Sequence, residues 1–466
     1  MAAISGTPGK HEHWSSNFGF LMAAIGSAVG LGNFWRFPYT VGESGGGAFV
    51  LIYVVAVVFI ALPAMMGELS LGRKGGMSAP GSYRALAVAS GASSLWGFAG
   101  WLGVVASFMI LSYYSVIAGW IIYYFGQAIA GNLVNITAEQ SGQTFALFLE
   151  QWQLLIAFHA VFIFVTTFIV SRGIRHGVEA ASKILMPTFF GLLLIIVFTS
   201  LTIGDSAQAL SFLFSFDLSK ITIEVVIDGV GQAFFSMGVG AALMITYGTY
   251  LNDTARIPRS SVIIAFSDTS VALLAGLAIF PIVFQYGLEP AAGPGLLFVT
   301  LPVAFGQMPL SIVVASAFFF LAFVAALTSS ISLLEVVVSR VEERGQFGRH
   351  RGAIITGLLI FVVGIPSALS FNVLSWFHPL EILASFKAST IFDVLDSLAS
   401  NIMLPVGGIL AAAFVGWIVA RQTMVDQLRF EDEYWFTVWR VAARIVVPLS
   451  VGAVLVLFFY KQFFSG

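Results

Sequence analysis

Eleven long apolar segments follow one another along this chain. Each is about as long as the roughly 20 apolar residues that a helix needs to cross a bilayer. The predicted spans are 17–41, 47–72, 95–129, 152–171, 178–202, 222–250, 260–285, 310–339, 352–370, 390–420 and 438–461. The sequence therefore predicts an all-α polytopic membrane protein with 11 transmembrane helices.

Charge is correspondingly scarce. Asp, Glu, Lys and Arg make up 9% of the 466 residues, against about 25% in a typical soluble domain. The net charge of −2 provides no basic field that would attract nucleic acid. Because the chain has no Cys, disulfides, thiolate nucleophiles and Cys-ligated metals are excluded. No group of nucleophile, base and metal ligands indicates an enzyme.

The basic residues predict the orientation, because Lys and Arg accumulate in cytoplasmic loops of membrane proteins. With the N-terminus inside, 17 of the 21 basic residues fall in predicted cytoplasmic segments. A shifted or missing span would scramble this partition. We expect a multi-pass protein of a bacterial cytoplasmic (inner) membrane, with its N-terminus inside and its C-terminus outside.

Two spans carry glycines in mid-segment, where helix propensity is poor. GSAVGLGN lies at 26–33 in the first span and SMGVGAA at 236–242 in the sixth. The two occupy equivalent places in two blocks of five spans, a pattern typical of transporters with inverted repeats and a site at the membrane midplane. For either segment alone, close packing of a neighbouring helix on glycine is the alternative.

This symmetry divides the chain into parts. We predict a cytoplasmic N-terminal segment at 1–16, a first inverted repeat at 17–202, a second at 203–420, and a cytoplasmic linker with the last span at 421–466. The apolar runs within the stretch 287–309 are too short for a span, yet the stretch is too apolar for an ordinary loop. We therefore expect it to fold back onto the protein as a lid.

An unwound helix exposes carbonyl oxygens and N–H groups that lipid cannot satisfy, so such a break persists where it lines a cavity or binds a ligand. Free carbonyls suit a hard cation, and the N-terminus of the following half-helix suits a carboxylate. One site can therefore hold both a cation and the α-carboxylate of an amino acid.

Few polar side chains lie near the breaks. Asn33 follows the first break, Ser236 begins the second, and Asp268 lies inside an apolar run of the seventh span. A charge at mid-depth is costly and usually functional, although a carboxylate there can also serve as a hydrogen-bond acceptor between helices. Thr328 and Ser329 add two hydroxyls in the eighth span, whose alternative role is to bond to a carbonyl one turn earlier.

These segments resemble those of the neurotransmitter:sodium symporter family. The matching strings are GSAVGLGNFWRFPY (26–39), ESGGGAF (43–49), GQAFFSMGVG (231–240), GPGLLFVTLP (293–302) and ALTSSIS (326–332). The resemblance runs from Trp14 to about the last span. It implies the leucine transporter fold, a five-plus-five inverted repeat in which spans 1 and 6 are unwound at the midplane.

The resemblance also implies two sodium sites. The first ion would be held by Asn33, Ser236 and Asp268, by the carbonyl of Ala28 and by the substrate carboxylate. The second would lie between spans one and eight. Its implied ligands are the carbonyls of Gly26, Val29 and Ala325 and the hydroxyls of Thr328 and Ser329.

The implied substrate site lies beside the first sodium. The substrate carboxylate would meet the N–H groups near Leu31 and Gly32 and the hydroxyl of Tyr114. Phe235 would cover the pocket from outside. The full set of implied substrate-binding residues is Ser27, Ala28, Leu31, Gly32, Ile110, Tyr114, Phe235, Ser236, Gly238, Ala241, Ser329 and Leu333.

Departures from the family pattern indicate the substrate. Asp268 stands where chloride-dependent members have a neutral Asn, so a fixed carboxylate can replace chloride. Gly30 stands where aminergic members have Asp, which argues against amines. Gly238 and Ala241 replace larger residues of the leucine transporter and widen an apolar pocket. We expect chloride-independent transport of neutral hydrophobic L-amino acids, from branched aliphatic to aromatic.

The resemblance further implies two gates. Arg36 and Asp396 match the outer ion-pair gate, with Asp393 as a competing partner one turn away. At the inner gate the family's Arg falls at His11, with Glu343 as the partner and Lys10 as a substitute for His11. Two more acids, Glu68 and Glu335, have no assigned role, and a contact within the helix bundle is the simpler interpretation.

Two other functions fit the same fold. A proton-coupled or exchange transporter would have the same amino-acid site but would not couple transport to sodium. An amino-acid sensor would bind the amino acid without transporting it. The oligomeric state stays open, with a homodimer among the options.

Overall fold

The computed structural model describes residues 12–289, 295–345, 347–383 and 386–464, and its regular structure in these residues is helical. We number the helices in chain order. They are α1 (Asn17–Ala28), α2 (Gly32–Glu43), α3 (Gly47–Gly75), α4 (Ala79–Ala89), α5 (Ser94–Ile129), α6 (Ala138–Glu150), α7 (Trp152–Ser171), α8 (Ile174–Ile203), α9 (Ser206–Phe214), α10 (Ile223–Met237), α11 (Leu243–Thr249), α12 (Ile257–Gln285), α13 (Leu296–Gly306), α14 (Ser311–Glu343), α15 (Arg349–Leu369), α16 (Ile391–Ile418), α17 (Arg421–Leu428) and α18 (Glu433–Tyr460).

Within these ranges, nine helices are long and apolar enough to cross a membrane: α3, α5, α7, α8, α12, α14, α15, α16 and α18. Helices α1 and α2, bent by 47° at their break, are together long and apolar enough to count as a further span. The predicted sixth span is divided between α10 and α11, of 15 and 7 residues. The multi-pass all-helical membrane architecture is confirmed. The count of 11 stays a prediction, because it depends on joining α10 and α11 into one span.

The observed helices differ from the predicted spans mainly at their ends. Helix α14 continues past the predicted end at 339, where an ion pair between Arg340 and Glu343 (3.0 Å) supports its last turn. Short helices also form in predicted connections. For example, α4 begins with Pro80 in its first turn, where a missing N–H costs nothing.

The stretch predicted as a lid contains α13, whose apolar side chains are buried. The Phe298 ring lies 5.5 Å from that of Trp120 and 5.2 Å from that of Tyr124, both on α5. The N–H of Asn135 donates to the Gly306 carbonyl (2.9 Å). Residues 290–294 of this stretch lie outside the described part of the chain. Its role as a lid stays a prediction, as do the repeat boundaries.

The two broken spans lie at the centre of the bundle. Helix α1 packs against α8, α12 and α14, while α10 and α11 pack against α3. Helix α14 in turn packs along α5. Both breaks are therefore surrounded by continuous helices, and their exposed backbone groups must find partners inside the protein.

Candidate functional site

The first break separates α1 from α2. Helix α1 ends because Val29 adopts an extended conformation (ψ 103°), and the amide oxygen of Asn33 accepts a hydrogen bond from the Gly30 N–H (3.0 Å). A Cβ on Gly30 would lie 2.5 Å from the Ser329 hydroxyl and 3.3 Å from that of Tyr114. Only glycine therefore allows the unwound backbone to approach these hydroxyls so closely.

The second break runs from Gly238 to Ala242. Gly238, Gly240 and Ala242 all have positive φ (62°, 92° and 60°), which ends α10 and interrupts the helix before α11. A Cβ on Gly240 would lie 2.1 Å from the Leu404 carbonyl oxygen. The Gly240 N–H donates to the buried carboxylate of Glu68 (2.8 Å). Glu68, whose role was open, therefore satisfies an unwound backbone group of the second break.

Asp268 joins the two breaks. Its fully buried carboxylate accepts hydrogen bonds from Ser236 Oγ (2.7 Å), Tyr53 OH (3.2 Å) and Asn33 Nδ2 (2.9 Å). These are the interhelical bonds that the structural alternative for Asp268 requires. They also gather Asn33, Ser236 and Asp268, the three side chains predicted for the first sodium.

No basic side chain neutralises Asp268, since the ion pairs formed within 4.0 Å by the described residues do not include it. An ionised carboxylate buried without a countercharge is strongly unfavourable. A small cation beside Asp268 would remove this cost, which is a physical reason for an ion site here.

The second predicted ion site lies between α1 and α14. The Ser329 hydroxyl lies 3.4 Å from the carbonyl oxygen of Gly26 and 3.3 Å from those of Ser27 and Val29. Thr328 donates to carbonyls of its own helix, including that of Ala325 (3.1 Å). Because that bond uses the hydroxyl proton, the Thr328 oxygen retains lone pairs for a cation.

The donor set of both sites consists of oxygens. Across the described ranges, no group of three or more His, Asp and Glu side chains could hold a metal ion. Carbonyls, hydroxyls, an amide and one carboxylate suit an alkali cation better than a transition metal. The residues present therefore fit sodium at both positions.

All twelve predicted substrate-binding residues line one cavity of about 60 Å³. Gly30, Leu243 and Leu404 line it as well. Leu243 directly follows the second break, a position that could have indicated it. Leu404 lies in an unbroken apolar helix and carries no local signal, so only the packing of α16 against the breaks reveals it.

The cavity has a polar and an apolar part. The Leu31 N–H donates to the Tyr114 hydroxyl (3.4 Å), and α2 begins at the next residue, Gly32, which also lines the cavity. The cavity therefore adjoins the N-terminal end of a helix, where a carboxylate is favoured. The buried Ser27 hydroxyl has no hydrogen-bond partner among the described residues. The remaining walls are apolar, with Ile110 and Leu333 among them. This arrangement fits a zwitterion with an apolar side chain.

The sequence model of the sodium:neurotransmitter symporter family matches residues 11–145 and 146–464. The chain belongs to this family. A sodium-dependent transporter of Bacillus subtilis, the uncharacterised YhdH, is 37% identical over 445 residues, covering 95% of this chain and 96% of that protein. Another uncharacterised sodium-dependent transporter, from Haemophilus influenzae, is 32% identical over 454 residues, covering 96% of this chain and 98% of that one.

A solved structure supports the same assignment. The crystal structure of MhsT in complex with L-phenylalanine matches with a TM-score of 0.88 at 40% sequence identity, covering 96% of this chain and 99% of that one. The predicted family and fold are confirmed. The protein is a sodium-dependent transporter, and its family is a family of transporters rather than of enzymes.

At the predicted outer gate, the Arg36 guanidinium lies 4.6 Å from the centre of the Phe235 ring. Asp396 accepts a hydrogen bond from Ser400 Oγ (3.0 Å). The ion pairs within 4.0 Å in the described ranges do not include Arg36 with Asp396. The Asp393 carboxylate accepts hydrogen bonds from the N–H and the hydroxyl of Thr390 (2.9 and 2.8 Å). Asp393 therefore belongs to a capping box at the start of α16, with Thr390 as the N-cap residue, and the pairing of Arg36 with Asp396 stays a prediction.

At the predicted inner gate, Glu343 pairs with Arg340 (3.0 Å) and accepts a hydrogen bond from the Ser78 N–H (2.8 Å). The predicted partners, His11 and Lys10, lie outside the described residues. Glu335, the second acid without an assigned role, is fully buried. It pairs with Arg349 (2.5 Å) and accepts from the Tyr250 hydroxyl (2.7 Å), a contact within the bundle.

Proposed function

We propose that this family member is a sodium-coupled symporter that imports neutral hydrophobic L-amino acids, from branched aliphatic to aromatic, by alternating access and without chloride. The observation that carries the proposal is the cavity between the two breaks. Its polar part adjoins Asn33, Ser236 and Asp268, and its other walls are apolar. A ligand with a carboxylate and an apolar side chain satisfies both parts.

Coupling follows from the placement of the carboxylates. The substrate carboxylate, held by the N–H groups at the start of α2 and by Tyr114, would lie near the uncompensated Asp268. Two negative charges in a buried site repel each other unless a cation lies between them. A sodium ion at Asn33, Ser236 and Asp268 would therefore bind more tightly with substrate present, and the substrate more tightly with sodium present.

A second sodium would act on conformation. Its proposed ligands lie on α1 and on α14, which the structure brings together through Ser329. An ion that bridges these helices favours the conformation in which they touch, and its release favours separation. Each ion also contributes about 2.3 kcal/mol for every 100 mV of membrane potential.

The substrate range follows from the size of the cavity. A volume of about 60 Å³ holds a few water-sized spheres, at about 10–15 Å³ each. Larger side chains require Phe235 or Leu243 to move, since both line the cavity. The phenylalanine named for MhsT, 40% identical to this chain, supports the inclusion of aromatic side chains in the range. One methylene more or less changes binding by about 1–3 kcal/mol, which is consistent with a broad range.

Chloride independence follows from Asp268 and its neighbours. The carboxylate occupies the space bounded by Tyr53, Ser236 and Asn33 and accepts a hydrogen bond from each. A chloride ion in the same space would be repelled by the fixed negative charge. We place the protein in a bacterial inner membrane with its N-terminus inside, on the distribution of basic residues.

Proteoliposomes test the proposal. Uptake of labelled L-leucine and L-phenylalanine should require an inward sodium gradient and should be unchanged when gluconate replaces chloride. Uptake that persists with choline in place of sodium would overturn sodium coupling and favour the proton-coupled or exchange alternative. Sodium-dependent binding without uptake would favour the sensor. A competition panel of amino acids, including GABA and an amine, then defines the substrate class.

A further inference from the structure

A cleft of about 840 Å³ lies apart from the transport site, where α4 and the first turns of α5 meet the last turn of α14. Its lining includes charged residues, among them Arg84, Arg340 and Glu343. It also includes large apolar residues, among them Leu95 and Phe98. Neither the ion sites nor the substrate cavity uses any of these side chains.

Positive charge exceeds negative charge in this cleft. Both oxygens of Glu343 are already engaged, by Arg340 and by the Ser78 N–H. Arg340 Nε is buried, and none of the described residues provides it with a hydrogen-bond partner. Arg84 lines the cleft, and Arg344 lies beside it against the ring of Trp101, which also lines it. Neither arginine takes part in an ion pair within 4.0 Å in the described ranges. The cleft therefore has guanidinium groups available for an anion.

The aromatic wall of the cleft holds two of these groups in place. The guanidinium carbons of Arg340 and Arg344 lie 5.0 and 5.4 Å from the centre of the Trp101 ring. Cation–π contacts at such distances orient the guanidinium plane while leaving N–H groups free. Because Arg340 is already paired with Glu343, Arg344 is the orientated guanidinium that is available to bind a phosphate in a bidentate manner.

The apolar residues of the cleft are open to the surroundings. Val88, Leu95 and Phe98 are 60%, 67% and 70% exposed. A small soluble anion would leave this apolar surface uncovered, whereas acyl chains would cover it. The combination of arginines with exposed apolar side chains fits an amphiphile.

The position of the cleft is that of the lipid headgroups. Helix α5 has 36 residues and is about 54 Å long at 1.5 Å per residue. The hydrocarbon core is about 30 Å thick, so the terminal turns of α5 extend beyond it. The cleft lies at the first turns of α5, on the arginine-rich end that the charge distribution assigns to the cytoplasm.

We propose that this cleft binds an anionic phospholipid. The phosphate lies on Arg84 and Arg344, and an acyl chain lies against Phe98 and Leu95. Basic pockets between membrane helices on the cytoplasmic side are suited to such headgroups. The first 11 residues of the chain contain Lys10 and no acid, so their charge has the same sign as the cleft. Charge complementarity therefore favours the lipid over this segment.

Native mass spectrometry of the full chain, in mixed micelles of phosphatidylglycerol and phosphatidylcholine, tests the proposal. The wild type should retain phosphatidylglycerol in preference to phosphatidylcholine. At about 1 kcal/mol for each basic residue, Arg84→Gln should weaken this binding about fivefold, and the Arg84→Gln/Arg344→Gln double variant about 25-fold. Arg259→Gln, at an exposed position in the first turn of α12, is the matched control and should bind as the wild type. Ala85→Trp fills the cleft without a change of charge and should also abolish the preference.

Three results would overturn the proposal. The first is equal retention of the two lipids. The second is equal displacement by glycerophosphoglycerol, the headgroup without chains, which would indicate a site for soluble anions. The third comes from a photo-cross-linker, Val88→p-benzoylphenylalanine: a product with residues 1–11 in place of a lipid adduct would assign the cleft to that segment. Monodisperse size-exclusion profiles identify the variants that fold.

Discussion

Replacement of Thr328 by Val tests the second ion site with little disturbance of the fold. The side chain is buried, and its hydroxyl bonds to the carbonyls of Val324 and Ala325 in its own helix, each at 3.1 Å. Those carbonyls also accept the ordinary helical N–H bonds, so Val leaves no acceptor unpaired. Val has nearly the same shape as Thr. We therefore expect the free energy of unfolding to change by less than about 1 kcal/mol.

The effect of Thr328→Val on sodium binding should be much larger than its effect on stability. An interaction between a polar group and a charge contributes about 1.5–3 kcal/mol, so the loss of one of five proposed ligands should weaken sodium binding about 10- to 100-fold. The half-saturating sodium concentration for uptake should rise by this factor, while maximal uptake at saturating sodium falls less. The amino-acid affinity measured at saturating sodium should stay near that of the wild type.

Thr188→Val provides the matched control. Thr188 also donates to a carbonyl of its own helix, that of Ile184 (2.9 Å), but it is exposed on α8 and away from the proposed ions. Sodium titrations of uptake should separate the two variants. A shift of less than twofold in Thr328→Val, or an equal shift in both, would refute the assignment of the Thr328 hydroxyl as a sodium ligand.

Three further changes test other parts of the site. Asp268→Asn removes the fixed charge, so uptake in chloride-free medium should fall at least tenfold and recover when chloride is added. If chloride does not restore uptake, the Asp268 carboxylate does not take the place of chloride. Gly240→Ala places a Cβ 2.1 Å from the Leu404 carbonyl oxygen, at a residue whose φ is 92°, and should therefore lower the melting temperature in detergent. Gly231→Ala is the control: no atom lies within 4 Å of its new Cβ, and the melting temperature should not change. Ala241→Phe fills an apolar wall of the cavity and should reduce the ratio of phenylalanine to valine uptake about 10-fold or more, as competition assays would show.

Much of the site was predictable because rare residue types carry it. Asp268 is a carboxylate in an apolar span, and the glycines of both breaks interrupt segments that otherwise favour helix. These local departures, together with the family resemblance, were enough to name twelve of the fifteen residues that line the cavity.

The contacts of the remaining acids were not predictable in the same way. Glu68 accepts a hydrogen bond from the Gly240 N–H, and Glu335 accepts one from the Tyr250 hydroxyl. Both donors are far away in sequence and reach these carboxylates only once the helices have packed. The position of Arg36 over Phe235 likewise depends on how α2 packs against α10 rather than on any residue pattern.

The sequence by itself determined the membrane architecture and the location of the breaks. A bilayer requires about 20 apolar residues for each span and tolerates unwound backbone only where a cavity or ligand satisfies it, and both requirements are visible residue by residue. The tertiary structure alone decided what meets at the breaks. Leu404 closes the cavity, Tyr53 completes the bonds to Asp268, and Ser329 reaches three carbonyls of α1 and of the break that follows it. These contacts join residues far apart in sequence, and they exist only because the helices pack in one arrangement.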